Sequence, residues 1–383
     1  MKKILAMLLA LVMVLGLAAC GAPAAEAPAA SEAAYKVAMV TDYGDITDQS
    51  FNQTTYEACK AYAEANNVEF TYYKPAGDSD AERVAMIEKA VDEGYNVIVL
   101  PGFAFAAAIA TAAPQYPDVK FIALDVSEFD LTSAGLTAET MTNVYSAVYQ
   151  EELSGYMAGY AAVKLGYTKL GFLGGMAVPA VQKFGYGFVQ GADAAAKELN
   201  ITVDMNYIYG GLFYGTADIT AVMDTWYQGG TEVVFACGGG IYTSAVDAAK
   251  MVEGAKVIGG DVDQAGVIAN YAGMSDKSLT VTSAMKGLYP TTVDTLTDVI
   301  NNGNWAKYAG KVATLGLVSG DDPTANYVQI PMESTQWSDT FTQDDYKAMV
   351  KAMFDGTIVV SGDVSAEPAV TNVNVDYQGQ IVG

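Results

Sequence analysis

The sequence predicts an α/β protein of two lobes, each a parallel sheet with helices on both faces. Three observations carry this. Short, continuously apolar runs of strand length recur, and they alternate with stretches whose apolar residues fall three and four apart. The strand–helix alternation proceeds through four strands and then restarts, as two α/β units in series would. Residues 35–383 also exceed the roughly 250–300 residues that one hydrophobic core usually serves.

The first unit opens with a strand at 36–40 (KVAMV) and a helix at 50–66. A second strand alternates over 68–72. Residues 80–93 then place Val84, Ile87 and Val91 on one helical face and stop at Gly94. The run 96–100 (NVIVL) reads as a fully buried strand ended by Pro101, 104–116 as a covering helix, and 120–124 (KFIAL) as a fourth strand ending at Asp125. The second unit begins with a helix at 151–163 and a strand at 170–173 closing on Gly174-Gly175. A helix at 179–199 follows, with Pro179 in its first turn, where a missing N–H costs nothing. Strands at 202–209, 232–236 and 256–259 alternate with helices at 218–228 and 243–252. Residues beyond about 280 supply elements expected to cross between the lobes.

Ahead of the lobes, Met1-Lys2-Lys3 is followed by an uncharged apolar run over 4–17 and by Leu17-Ala18-Ala19-Cys20. A charged start, a short apolar core and small residues before the cut make a secretory signal over 1–19; the run is too short for a span of about 20 residues. The cysteine at the cut resembles a lipoprotein attachment site, so Cys20 is expected to carry lipid. Residues 20–34, rich in Ala, Pro and Glu, read as a flexible linker. Net charge is −24, with no histidine and one arginine, Arg83. That balance excludes nucleic acid, which requires cations to displace counterions. The lack of histidine rules out a Ser-His-Asp triad and makes zinc improbable. Cys59 and Cys237 are expected as buried free thiols.

In open parallel sheets, ligands sit outside the carboxyl ends of the strands. The rule selects the loop 41–52, Asp125, residues 174–179, the Gly238-Gly239-Gly240 run and Asp261. In the first of these, Asp48 or Ser50 can cap the following helix, while Phe51 and Asn52 either face a flat polar ligand or belong to the core. Counting from Asp42, an EF-hand would need ligands where Gly44, Ile46 and Gln53 stand, so this loop is not an EF-hand calcium loop. Gly185-Tyr186-Gly187 and Gly191 have the wrong spacing for a dinucleotide fingerprint and read as close helix-to-sheet packing. Gly239 lies between a strand and a helix, where backbone N–H groups can face a ligand; no P-loop Lys follows.

Six segments, in order, resemble the basic membrane protein family of substrate-binding lipoproteins: DITDQSFNQ, EELSGYMAGYAA, LGFLGGMAVPAVQKFGYGFVQG, VVFACGGG, VIGGDVDQ and VTSAMK. The resemblance implies a type I periplasmic-binding-protein fold, two Rossmann-like lobes with a three-stranded hinge. It implies a first lobe of 35–143 with a return near 283–316, and a second of 144–282 with the tail 317–383. It further implies a lipid-anchored monomer outside the cytoplasm that hands a nucleoside, most often a purine, to an ABC permease complex, without cofactor, metal or catalysis. Riboflavin, a simple sugar, or a receptor role without a transporter remain the alternatives. By position, Phe51 would stack on a base, and Asn52, with Asp48 beside it, would bond the ligand. Asp125 would meet a base edge or sugar hydroxyl, Asp261 and Lys286 would hold the sugar, and Phe184 and Phe213 would close on the ring. Asp125 and Asp261 can instead serve as helix caps, and Lys286 as a structural partner of Asp261. The GGG run departs from the family pattern, in which glycines alternate with a threonine.

Overall fold

The computed structural model describes residues 34–137 and 139–382. The signal, Cys20 and most of the linker lie outside the described residues. The first sheet contains β1 (Lys36–Val40), β2 (Glu69–Tyr73), β3 (Val97–Pro101), β4 (Lys120–Leu124) and β5 (Val144–Tyr149) in the order 5-4-3-1-2, all parallel. It is covered by α1 (Phe51–Asn66), α2 (Asp80–Asp92), α3 (Ala106–Ala112) and α4 (Glu128–Ser133). Its strands read as unbroken apolar runs because both faces are covered; every residue of β3 is buried. Ser79 caps α2 by accepting the Glu82 N–H, and α1 ends where Asn67 turns left-handed (φ 53°). The helix expected over 104–116 is shorter, a 3₁₀ turn at Phe103–Phe105 leading into α3.

The second lobe repeats the plan. It begins with α5 (Glu151–Lys164), β6 (Lys169–Gly174), α6 (Pro179–Leu199), β7 (Val203–Tyr209), α7 (Ala217–Gln228) and β8 (Val233–Cys237). It continues with α8 (Tyr242–Ala249), β9 (Lys256–Asp261), α9 (Ala265–Ala272) and β10 (Thr280–Lys286). After α10 (Leu288–Leu296), β11 (Lys311–Leu315) pairs with β5 in the first sheet. The two-residue β12 (Val328–Gln329), α11 (Gln343–Phe354) and β13 (Val373–Gln380) then return to the second lobe. The second sheet runs β12-β10-β9-β8-β6-β7-β13, so β6 to β10 reproduce the order of β1 to β5. This internal repeat is structural; it leaves no trace in the sequence visible by eye.

The lobe boundaries differ from expectation. Residues 144–149 extend the first sheet through β4, so the first crossing follows Tyr149, and β10 stays in the second sheet to Lys286. The sequence misplaced them because VYSAVY was not read as a strand. The crossings at Gln150, Gly287 and 316–327 are bonded together, which makes one hinge of three chains. The Gln150 N–H donates to the Leu315 carbonyl (2.9 Å), the Gly287 N–H to Tyr327 (2.6 Å) and the Tyr327 N–H to Gly316 (3.0 Å).

The glycines of EELSGYMAG and FGYGFVQG mostly join two helices, whereas Gly187 and Gly191 were expected to meet the sheet. A Cβ on Gly155 or Gly159 of α5 would stand 2.2 and 2.1 Å from the carbonyl oxygens of Phe184 and Phe188. One on Gly187 or Gly191 of α6 would meet those of Glu152 and Tyr156 at 2.1 and 2.0 Å. Only Gly185 faces the sheet, against Tyr207 and Phe172. This reciprocal backbone contact fixes Phe184 beside the first turn of α5, and so helps to build the cleft. Among the described residues, no helix is long and apolar enough to cross a membrane.

Candidate functional site

The carboxyl ends of both sheets enclose a cavity of about 380 Å³. That is within the roughly 300–1,000 Å³ of small-molecule pockets. Strand order 2-1-3-4-5 places its switch point between β1 and β3, and Asp42 and Gly102, just past those strands, line the cavity. All nine residues selected from the sequence, Asp48, Phe51, Asn52, Asp125, Phe184, Phe213, Gly239, Asp261 and Lys286, lie on its wall.

The first turn of α1 is organised by Asp48, not by Ser50. The Asp48 carboxylate accepts the N–H groups of Ser50 (2.9 Å), Asn52 (2.9 Å) and Gln53 (3.1 Å), occupying the donors a helix start leaves over. Burial nonetheless pushes its carboxyl up to about 6, outweighing those bonds. Ser50 is left free to donate across the cleft to Asp261 (2.7 Å). The Asn52 amide nitrogen is held between Asp42 and Asp48, at 3.2 Å from each, which fixes the orientation of the amide. Its oxygen is buried without a protein partner.

Lys286, at the end of β10, is the electrostatic centre. Its ammonium is buried and bonded to Asp125, with Asp261 at 3.5 Å and Glu151 at 3.7 Å. Burial alone would lower it, but Asp125, Asp261 and Glu151 hold it above the ordinary lysine range. Burial pushes Asp125 up, with Lys286 pulling the other way, and by the same opposition raises Glu151 to about 8. Lys286 also lies 4.8 Å from the ring centre of Phe51 and 5.6 Å from that of Phe184; the half-buried Phe51 ring faces the cavity, whereas Phe184 belongs mainly to the second-lobe core.

Asp125 and Asp261 end the fourth strand of their lobes, and both adopt left-handed backbone (φ 60° and 65°). Such conformations are rare outside glycine and gather at functional sites. Neither acts as a cap: Ser127 and Asp130 form the capping box of α4, and the N–H of Ala265, first in α9, bonds Asp263. The Lys286–Asp261 pair does exist, but within a cluster that also takes in Asp125 and Glu151. The third strands likewise end in glycines of positive φ, Gly102 (121°) and Gly238 (131°).

The triglycine run seats an aromatic ring. A Cβ on Gly238 would lie 2.8 Å from the Phe213 ring, and one on Gly175 2.4 Å from it. From the opposite lobe Tyr43 stacks on Phe213, with ring centres 6.3 Å apart and planes 29° off parallel. Two parallel rings need about 7 Å to admit a third between them, so this pair closes the cavity wall.

Residues 35–356 match the family model described as ABC transporter substrate-binding protein, PnrA-like (Bmp). The chain belongs to this family. Among relatives of the Bmp chain is a Lactococcus lactis protein named ABC transporter nucleoside-binding protein BmpA, 28% identical, over 74% of this chain and 80% of that one. Basic membrane protein A of Borreliella burgdorferi is 29% identical over 60% of this chain and 64% of its own. A Pyrococcus furiosus protein named as a lipoprotein is 26% identical, over 82% of this chain and 77% of that one. Two ABC solute-binding proteins, from Aeropyrum pernix and Conexibacter woesei, share the fold. Each has a TM-score of 0.64 and 21% identity over 86% of this chain, covering 88% and 99% of theirs. The Bmp chain is thus an ABC-transporter substrate-binding protein with the two-lobed, three-chain-hinged fold of periplasmic solute-binding proteins.

Sequence reasoning missed Glu151 and Lys183, and it selected Asp42 and Tyr43 only as part of the loop 41–52; all four line the cavity. Glu151 had no distinct signal, since acidic residues in a first helical turn are favoured by the helix dipole whichever way they face. Tyr43 had none, because its role depends on the opposite lobe. Cys237 lies on the cavity wall and Cys59 in the first core; both are buried and unpaired, as expected.

Proposed function

We propose that this substrate-binding protein captures a purine nucleoside between its lobes and delivers it to an ABC permease. The observation that carries the reading is a set of buried acceptors without partners on an aromatic cavity wall. Asn52 Oδ1 and Asp125 Oδ1 have no protein donor. An unpaired buried acceptor costs about 1–3 kcal/mol, which a ligand rich in N–H and O–H groups removes. Phe51, half-buried on the wall, supplies a face for a base. Asp261 suits paired sugar hydroxyls, because one carboxylate accepts from two at once. Seven acidic side chains, Asp42, Asp45, Asp48, Asp125, Asp130, Glu151 and Asp261, against Lys74, Lys183 and Lys286 on the wall disfavour an anionic, phosphorylated ligand. The name of the Lactococcus relative supports the same class.

In this reading lipid on Cys20 and the linker over 20–34 hold a monomeric trap at the outer face of the membrane, and the hinge closes it on the ligand. Calorimetric titration with guanosine, inosine, adenosine, ribose and riboflavin tests the assignment. Heat from a purine nucleoside with sub-micromolar affinity, about −8 kcal/mol or tighter, is expected. Heat from riboflavin or ribose alone would move the protein to a different ligand class; silence from all five favours a receptor without a transported nucleoside.

A further inference from the structure

The family match ends at residue 356, yet the chain continues in an ordered path along the second lobe. Ser361 exchanges two bonds with the Gln190 side chain, both 2.9 Å. Asp193 accepts the N–H groups of Thr371 (2.8 Å) and Asn372 (2.6 Å). β13 then adds to the sheet edge parallel to β7, with Val373 opposite Val203 and the Tyr377 ring 5.0 Å from that of Tyr207.

The path leads to the site. Past β13, the N–H groups of Ile381 and Val382 donate to the carbonyls of Tyr209 (2.9 Å) and Gly210 (3.2 Å). On its other side the same stretch is tied to β6, with Gly210 N–H on Gly174 (2.7 Å) and Gly211 N–H on Gly175 (3.0 Å). A Cβ on Gly211 would stand 2.0 Å from the Val382 carbonyl oxygen, so the two backbones touch. Two residues beyond Gly211 is Phe213, the cavity ring packed against Gly175 and Gly238.

We propose that residues 373–382, outside the part matched by the family, are a positioning clamp that fixes Phe213 over the cavity. The clamp's effect on affinity rests on the ligand reading above; its effect on the 210–214 loop does not. Without the outer bonds, the stretch after β7 is held on one side only, and the ring must be ordered at the moment of binding.

Ile381→Pro removes the N–H that meets Tyr209. Val382→Pro removes the neighbouring N–H, which meets Gly210, so a folding defect in one variant does not decide the question. Amide hydrogen exchange over 210–214, measured without ligand, is expected to accelerate at least about tenfold in both. The dissociation constant for the best purine nucleoside is expected to rise about tenfold. In a Phe213→Ala background Ile381→Pro should add little, because the ring it positions is gone. Glu253→Ala, exposed and outside 373–382, should change neither reading. Unaltered exchange in both variants overturns the clamp; so does accelerated exchange with unchanged affinity. If no nucleoside binds the unaltered protein, the ligand assignment falls, and exchange alone decides whether the clamp exists.

Discussion

Replacing Lys286 by methionine keeps the volume and removes the ammonium that lies within 3.7 Å of Asp125, Asp261 and Glu151. Breaking a buried ion pair from one side costs about 3–5 kcal/mol, against a total stability of about 5–15 kcal/mol. In this cluster the cost depends on pH. Burial already raises Asp125 and Glu151, the latter to about 8, and Lys286 is what restrains them. Once the lysine is gone, both carboxyls rise further. Between their ordinary values near 4 and about 8 the folded state then holds more protons than the unfolded one. Stability is therefore full at the acid end of that window and is lost as pH rises through it. Thermal melts of the ligand-free variant should show a deficit on the order of 10 °C at pH 8, shrinking markedly at pH 5.5. An equal deficit at both pH values, or one below about 1 kcal/mol, would refute the buried cluster.

Three further outcomes follow from the geometry. Asp48→Ala should cost about 1–2 kcal/mol in urea unfolding through loss of the α1 cap, while Asp48→Asn should retain most of that and abolish the titration near 6. Gly187→Ala should destabilise the second lobe by about 1–3 kcal/mol or more, since its methyl meets the Glu152 carbonyl at 2.1 Å; unchanged urea midpoints would show that the α5–α6 contact yields freely. Cys59 and Cys237 should resist thiol reagents until the protein unfolds, because both are buried and burial raises both thiols; rapid labelling of the native protein contradicts that.

The parallel strands were legible because double-sided burial leaves continuous apolar runs such as NVIVL, and the strand-end rule then picked out Asp125 and Asp261 without knowledge of the site. Two strands were not legible in the same way. VYSAVY is an apolar run broken by one serine and VNVDYQGQ is a half-polar edge strand; β5 and β13 went unread, and the lobe boundary was set six residues early. The helix glycines were noticed, but the partner surface was misjudged, since spacing alone does not tell a sheet from a second helix. Contacts that need both lobes, Tyr43 on Phe213 and Ser50 on Asp261, belong to the closed cleft and have no local signature.

The most direct measurement is mass spectrometry of the small molecules released when the protein, purified without added ligand, is denatured. A purine nucleoside in near-stoichiometric amount, absent from a folded Asp261→Asn variant, is the predicted result. Release of a flavin or a sugar instead, or equal nucleoside from the variant, would contradict the account.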